Sequence, residues 1–93
     1  MSIDKHQVEE FYKAILSLKT VEECESFFAD LCTYKEIEQM TQRIIAAKLL
    51  LKGDTYEKVI KETEISSATL SRVSKCVKYG SGSKKLFASG AHH

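Results

Sequence analysis

The chain lacks proline and tryptophan altogether, and it has four glycines among its 93 residues. Proline and glycine interrupt helices most strongly, so their scarcity favours an all-α protein. No apolar run approaches the length of a membrane span, and no signal-peptide pattern opens the chain. These absences predict a single cytoplasmic domain with no membrane partner, near the small end of what can hold a core unaided.

Cysteine is also scarce, and the three cysteines, Cys24, Cys32 and Cys76, lack the spacing of a metal site. Free, semi-buried thiols in a reducing compartment are expected, and a redox-sensing role is the less favoured alternative. The chain has no nucleophile–base pairing and no glycine-rich phosphate loop, and His6 is its one histidine before the last two residues. We therefore expect no metal, no cofactor and no enzymatic activity.

Acidic residues are missing from the last part of the chain. Residues 1–38 carry nine acids and four lysines, residues 39–93 carry ten bases and four acids, and no acid follows Glu64. The formal net charge of +1 therefore hides a basic C-terminal region. Such a region attracts the phosphates of nucleic acid or, as an alternative, an acidic protein partner.

The segment at about residues 54–79 has the layout of a helix-turn-helix. Asp54 and Thr55 can both cap a first short helix, and Glu57 stands three residues after Asp54, as a capping box requires. A turn follows, in which Ile65 is placed to fill the angle between the two helices.

The second helix of this segment, which Ser66 or Ser67 caps, has an apolar stripe at Leu70, Val73 and Val77. Its opposite face carries small residues first and basic residues later: Ala68, Ser71, Arg72, Lys75 and Tyr79. Small residues permit close approach to base edges, and basic residues reach phosphates. This pattern predicts binding to double-stranded DNA. A helical hairpin with a solvated basic face is the alternative.

Three more helices are predicted upstream. They run from about Asp4 to Leu18, from Thr20 onwards, and from Thr33 to Lys52. Thr20 with Glu23, and Thr33 with Glu36, form capping-box patterns. Gly53 is the expected left-handed stop of the third helix. The second of these helices is expected to bury its apolar residues Val21, Cys24, Phe27, Phe28 and Leu31.

The third helix has more apolar surface than one face can hold. Its main stripe is expected to be the core face and comprises Ile37, Met40, Ile44, Ala47 and Leu51. Further apolar residues make the segment from residue 44 to residue 51 apolar almost all round, so it must be buried on every side. An interlocked homodimer would bury it, and would also place two recognition helices in successive major grooves, roughly 34 Å apart. A monomeric helical bundle is the alternative.

From Cys32 to about Lys75 the chain resembles the Trp-repressor superfamily. The matching run is CTYKEIEQMTQRIIAAKLLLKGDTYEKVIKETEISSATLSRVSK. Over Ile15 to Gly80 the chain is similar to the YerC/YecD branch of Trp-repressor-related proteins. The resemblance implies a Trp-repressor-like bundle of six helices, an intertwined homodimer and a role in transcription regulation, with a repressor as the expected kind of regulator.

The resemblance also implies which side chains meet DNA. The repressor's DNA-facing positions match Glu57, Lys58, Lys61, Ser67, Ala68, Thr69 and Ser71. Glu57 would repel phosphate. Together with the polar face of the second helix, these matches predict a DNA-binding set of Lys58, Lys61, Ser67, Ala68, Thr69, Ser71, Arg72 and Lys75.

A further implication of the resemblance concerns a small-molecule effector. The two arginines that enclose the repressor's co-repressor match Arg43 and Arg72, and a ligand-contacting threonine matches Thr33. The repressor's next position is a glycine that leaves room for the ring, but here it is Val73. We expect the branched side chain to fill that slot, so that DNA binding is independent of tryptophan. An unidentified effector is the alternative.

One helical DNA-binding domain is predicted over residues 1–88, with a short last helix beginning in residues 84–88. Residues 89–93, which end in two histidines, are expected to be a disordered tail or a tag remnant. The predicted function is that of a homodimeric, sequence-specific, nucleoid-associated DNA-binding regulator. The competing hypothesis is a helical adaptor whose basic C-terminal region binds an acidic partner.

Overall fold

The computed structural model describes residues 3–79. Within this range the secondary structure is entirely helical, in the order α1 Lys5–Leu16, α2 Val21–Leu31, α3 Tyr34–Lys52, α4 Tyr56–Thr63 and α5 Ser67–Tyr79. The all-α prediction is confirmed, and the five helices predicted within residues 3–79 are all present. The last helix predicted to begin in residues 84–88 and the tail at residues 89–93 lie outside the described residues.

The helices fall into two compact units. The first unit holds α1 and α2 and ends at Tyr34, and the second holds α3, α4 and α5. The single domain over residues 1–88 stays a prediction.

Side-chain caps define the starts of both helices of the first unit. Asp4 Oδ1 accepts a hydrogen bond from the His6 backbone N–H at 2.9 Å. In α2, Thr20 Oγ1 accepts from the Glu23 backbone N–H at 3.0 Å, as predicted. The Glu23 carboxylate accepts from the backbone N–H of Lys19, at 2.7 Å. The cap of α2 therefore reaches one residue further back than the predicted capping box.

The predicted burial of α2 is wrong for two of its five apolar residues. Val21 is 77% exposed and Leu31 is 55% exposed, whereas the remaining three are half-buried. No residue of α1 or α2 is fully buried. Two short helices have too little facing surface to cover apolar side chains on several sides, so a good deal of their apolar surface meets solvent in the single chain.

The second unit has a small core where α3 packs on the helix-turn-helix. The buried cluster is Ala46, Val59, Ile65 and Leu70, and Leu49, Leu50, Ile60 and Val73 pack against it. The predicted core stripe of α3 is therefore wrong in part. Met40 is 52% exposed and Ile44 is 45% exposed, although Ala47 is buried. The face that packs is centred on Ala46, because a small side chain lets neighbouring elements approach closely.

Gly53 ends α3 as predicted, with a positive φ of 107°. Its N–H donates to the Leu50 carbonyl at 3.1 Å, and the Asp54 N–H donates to the Leu49 carbonyl at 3.1 Å. These two bonds are the Schellman pattern, which satisfies carbonyls left unpaired at a helix C-terminus.

Of the two residues predicted to cap α4, Thr55 is the one that does so. Its Oγ1 accepts from the Lys58 backbone N–H at 3.3 Å. The predicted capping box between Asp54 and Glu57 is therefore wrong. The Asp54 carboxylate instead lies 3.5 Å from the Lys58 ammonium, one helical turn away.

Replacing Gly53 by alanine is expected to lower the free energy of unfolding by about 1–2 kcal/mol, because an L residue is strained at positive φ. The added Cβ would meet no atom within 4 Å, so the cost arises in the backbone and not from a clash. Glu64 is the matched opposite case, since it already has a φ of 60°. Glu64→Gly is expected to stabilise the fold by roughly 0.5–1 kcal/mol. Urea unfolding followed by circular dichroism measures both changes, and equal effects of one sign would contradict this account.

Candidate nucleic-acid interface

Three residues join α4 to α5. Glu64 adopts the left-handed conformation, and its N–H donates to the Ile60 carbonyl at 2.8 Å, which ends α4. Ile65 is 4% exposed and joins the core, as predicted for the residue that fills the angle between the helices. Ser66 Oγ accepts from the Thr69 backbone N–H at 3.2 Å, so Ser66 is the residue that caps α5, and the alternative cap, Ser67, is the first residue of the helix. This turn sets the direction of α5.

The two sides of α5 differ sharply. Leu70, Ser74 and Val77 are buried on one side. On the other, Ala68, Ser71, Arg72 and Lys75 are exposed at the i, i+3, i+4 and i+7 spacing of a single helical face. We call these four residues the exposed α5 face. It presents small side chains near the start of the helix and basic ones a turn or two later.

The structure leaves seven of the eight residues in the predicted DNA-binding set exposed. The seven are Lys58, Lys61, Ser67, Ala68, Ser71, Arg72 and Lys75. The eighth, Thr69, is half-buried, and its Oγ1 accepts a hydrogen bond from Ser66 Oγ at 2.9 Å. Thr69 also lines both cavities described below, so its hydroxyl is less free than the other seven side chains to meet a base edge.

On α4 the predicted phosphate contacts differ in their surroundings. Lys58 is half-exposed and pairs with the carboxylate of Asp54, whose side chain is 13% exposed. The other oxygen of this carboxylate, Asp54 Oδ2, is buried with no hydrogen-bond partner among the described residues. Moving Lys58 to a phosphate would leave the Asp54 carboxylate without its ion pair, so this contact costs free energy. Lys61 lies one turn of α4 after Glu57 and directly before Glu62 in the chain. All three side chains are exposed, so two acidic residues lie close to this lysine.

A cavity of about 210 Å³ lies between α3 and α5. Its lining residues are Arg43, Ile44, Ala47, Thr69, Arg72, Val73, Cys76 and Val77. It brings together three of the four residues predicted for an effector pocket, Arg43, Arg72 and Val73. The fourth, Thr33, belongs to the other compact unit. Val73 is half-buried and packs against the core as well as lining the cavity.

Sequence reasoning did not assign Ile44, Ala47 or Val77 to this cavity. The helical spacing could have found them. Ile44 and Ala47 lie one and four residues after Arg43 on α3, and Val77 lies four residues after Val73 on α5.

A second, more polar cavity of about 180 Å³ adjoins the start of α5. It is lined by Gln39, Gln42, Arg43, Ile65, Ser66 and Thr69. This cavity was not predicted from the sequence, because its polar residues are not spaced as a known motif. Arg43 and Thr69 line both cavities.

Residues 3–79 contain no group of side chains arranged to hold a metal ion. None of the five helices there is long and apolar enough to cross a membrane. The cysteines are free thiols, half-buried at Cys24 and Cys32 and exposed at Cys76.

Comparison with known proteins places the chain in a family. Residues 6–89 match the family model of the Trp repressor protein. The uncharacterised protein YerC of Bacillus subtilis strain 168 is 44% identical over 89 residues, covering 92% of this chain and 86% of that protein.

Solved structures agree with this match. A protein from Staphylococcus aureus, described as a candidate Trp repressor, superposes with a TM-score of 0.87 at 35% identity, over 96% of this chain and 89% of that one. A TrpR-like protein from Eubacterium eligens ATCC 27750 gives 0.86 at 39% identity, over 92% of this chain and 90% of that one. The chain therefore has the Trp-repressor-like fold that its sequence suggested, and it belongs to the Trp repressor protein family.

Proposed function

We propose that this protein is a sequence-specific DNA-binding transcriptional regulator that acts as a homodimer and does not respond to tryptophan. The observation that carries the proposal is the exposed α5 face, held on a helix whose other side is buried against α3 and α4. Family membership supports a DNA-binding regulator in place of an enzyme.

Two kinds of contact follow from the exposed α5 face. Ala68 and Ser71 lie near the N-terminal end of α5, and they are small enough for the helix to approach base edges closely. Arg72 and Lys75 lie further along, where long basic side chains reach phosphates. Lys61 on α4 adds a phosphate contact beside them. No acid follows Glu64, so α5 carries no negative charge to oppose this approach.

Exposed apolar surface supports the homodimer. In the single chain, Met40, Ile44 and Ile45 on α3 are each about half exposed, and Leu16 and Val21 are 82% and 77% exposed. Soluble proteins do not usually leave so many large apolar side chains in water. A second copy of the chain is the partner that we propose for them, since paired recognition helices would also match successive major grooves.

The cavity between Arg43 and Arg72 supports independence from tryptophan. Its volume of about 210 Å³ is below the roughly 300–1,000 Å³ of typical ligand sites. Val73 stands in its wall, where a glycine would leave more room. A different, smaller effector is the second candidate, and the two arginines would favour an anion there.

The site preference of α5 provides the test of the proposed function. Bound fragments selected from genomic DNA should share a sequence, which then serves as the preferred site. Ala68→Leu is expected to cost roughly 1–3 kcal/mol on that site and much less on random DNA, because the larger side chain obstructs a base edge. Ala29→Leu, the same change at an exposed alanine of α2, is the matched control. A protein that binds DNA with no shared sequence, or binds only acidic protein, would support the adaptor hypothesis instead.

Calorimetry with tryptophan is expected to give no saturable heat. Val73→Gly enlarges the cavity and is expected to introduce weak binding, because the ring then has room between the two arginines. Arg72→Ala in the Val73→Gly background should abolish that gain, which controls for unspecific effects of the glycine. Tight binding of tryptophan by the unmodified protein would show that the proposed role of Val73 is wrong.

A further inference from the structure

One polar contact inside the helix-turn-helix has no part in the contacts proposed so far. Tyr56, the first residue of α4, donates a hydrogen bond from its phenolic hydroxyl to Oγ of Ser74 on α5, 18 residues later. Ser74 is 4% exposed and lies in the buried side of α5 between Leu70 and Val77. A buried hydroxyl needs a partner, and Tyr56 supplies one from the neighbouring helix.

The position of this bond matters for how α5 is held. At one end, the turn at residues 64–66 and the buried Ile65 fix the start of the helix. The apolar contacts of Val59 and Leu70 then hold α5 against α4, but such contacts are non-directional and tolerate small rotations. The Tyr56–Ser74 hydrogen bond is directional and lies seven residues along α5, roughly 10 Å from its start. It is therefore the contact best placed to fix the tilt of the helix.

From this geometry we propose that Tyr56 is a positioning residue for DNA sequence recognition, which acts through Ser74 by holding the angle of α5. The proposal rests on the proposed function. Ser74 is buried whereas Ser71 and Lys75 are exposed, so the bond leaves the exposed α5 face open. A tilt of about 10° around the turn would move the helix at Ser74 by roughly 2 Å, which is more than a positioned recognition site tolerates.

Base contacts and phosphate contacts respond differently to such a tilt. Hydrogen bonds to base edges are short and directional, so they are lost when the helix moves. Long, flexible lysines and arginines can follow a phosphate through the same movement. The Tyr56–Ser74 bond should therefore affect the ratio of specific to non-specific affinity and leave non-specific affinity almost unchanged.

The test uses Tyr56→Phe, which removes only the hydroxyl, in the full chain. Affinities are measured for the selected preferred site and for random DNA at one salt concentration. We expect the ratio to fall roughly 3- to 10-fold, the effect of losing one directional hydrogen bond, with non-specific affinity unchanged. Tyr34→Phe, which removes a hydroxyl from a tyrosine that is 81% exposed, is the matched control and should leave the ratio unchanged.

Ser74 variants separate positioning from general stability. Ser74→Ala should lower the ratio as Tyr56→Phe does, the double variant should lower it no further, and Ser74→Thr, which keeps a hydroxyl, should retain it. An unchanged ratio in Tyr56→Phe, or an equal loss on both DNAs, would overturn the assignment. If the unmodified chain binds random DNA but prefers no sequence, the proposed function fails first and this assignment falls with it.

Discussion

Raising the salt concentration from about 50 to 200 mM is expected to weaken DNA binding by roughly 10³–10⁵-fold. A dimer that presents Lys58, Lys61, Arg72 and Lys75 from each subunit would make about 6–10 phosphate contacts, and each contact releases condensed counterions. The logarithm of the affinity should fall linearly with the logarithm of the salt concentration. Fluorescence anisotropy with labelled duplex DNA measures this slope directly.

The variant Lys75→Ala tests whether one lysine of α5 contributes to this salt dependence. Lys75 is exposed two turns into α5, and in the proposed complex it contacts phosphate, so its loss should weaken binding to all sequences alike. The salt slope should fall by about one for each subunit. Lys13→Ala on α1 removes an exposed lysine that lies 3.9 Å from Glu10, and it should change neither quantity. Binding that is insensitive to salt, or an equal response to both substitutions, would contradict the proposed interface.

Ile45→Glu is expected to prevent dimerisation, with an affinity between subunits lower by roughly 10²–10³-fold or more. Ile45 is 45% exposed in the single chain, so a glutamate there meets water in a folded monomer and costs that monomer little. In the proposed dimer the same position is covered by the partner, and an unpaired buried charge is costly, about 3–5 kcal/mol. Ile45→Val keeps the position apolar and should preserve the dimer.

Sedimentation and thermal unfolding test this pair of variants together. For the unmodified chain and for Ile45→Val, the melting temperature should rise with protein concentration, because folding and association are then coupled. A folded monomer of the unmodified chain at micromolar concentration would contradict the dimer. So would an Ile45→Glu variant that associates as the unmodified chain does.

Local features of this fold could be predicted from the sequence because their causes are local. Gly53 stops α3, Thr20 caps α2 and Ile65 is buried in the turn, and each follows from residue types a few positions apart. At the start of α4, residue types alone predict either Asp54 or Thr55 as the N-cap, and they do not distinguish between the two. In the structure, the Asp54 carboxylate is paired with the Lys58 ammonium, and the Lys58 backbone N–H donates to Thr55 Oγ1.

The packing face of α3 could not be predicted in the same way. Periodicity finds apolar stripes, and α3 has apolar residues on nearly all sides. Which stripe packs on α4 and α5 depends on close approach at Ala46, a property of two surfaces together. In the candidate site, too, some features follow from local residue spacing and others depend on residues that are far apart in the chain. The exposed α5 face followed from helical spacing, whereas the cavities and the Tyr56–Ser74 bond join residues far apart in the chain.

The separation of the two sides of α5 has a consequence for divergence between related regulators. The buried side supplies the core through Leu70 and Val77, and the exposed α5 face supplies none of it. If the proposed function holds, substitutions at Ala68 or Ser71 are expected to change which operator is bound with little effect on folding, since exposed sites usually alter stability by less than about 0.5 kcal/mol. Gene duplication followed by a few changes on this one face would give a second regulator with new targets on an unchanged scaffold.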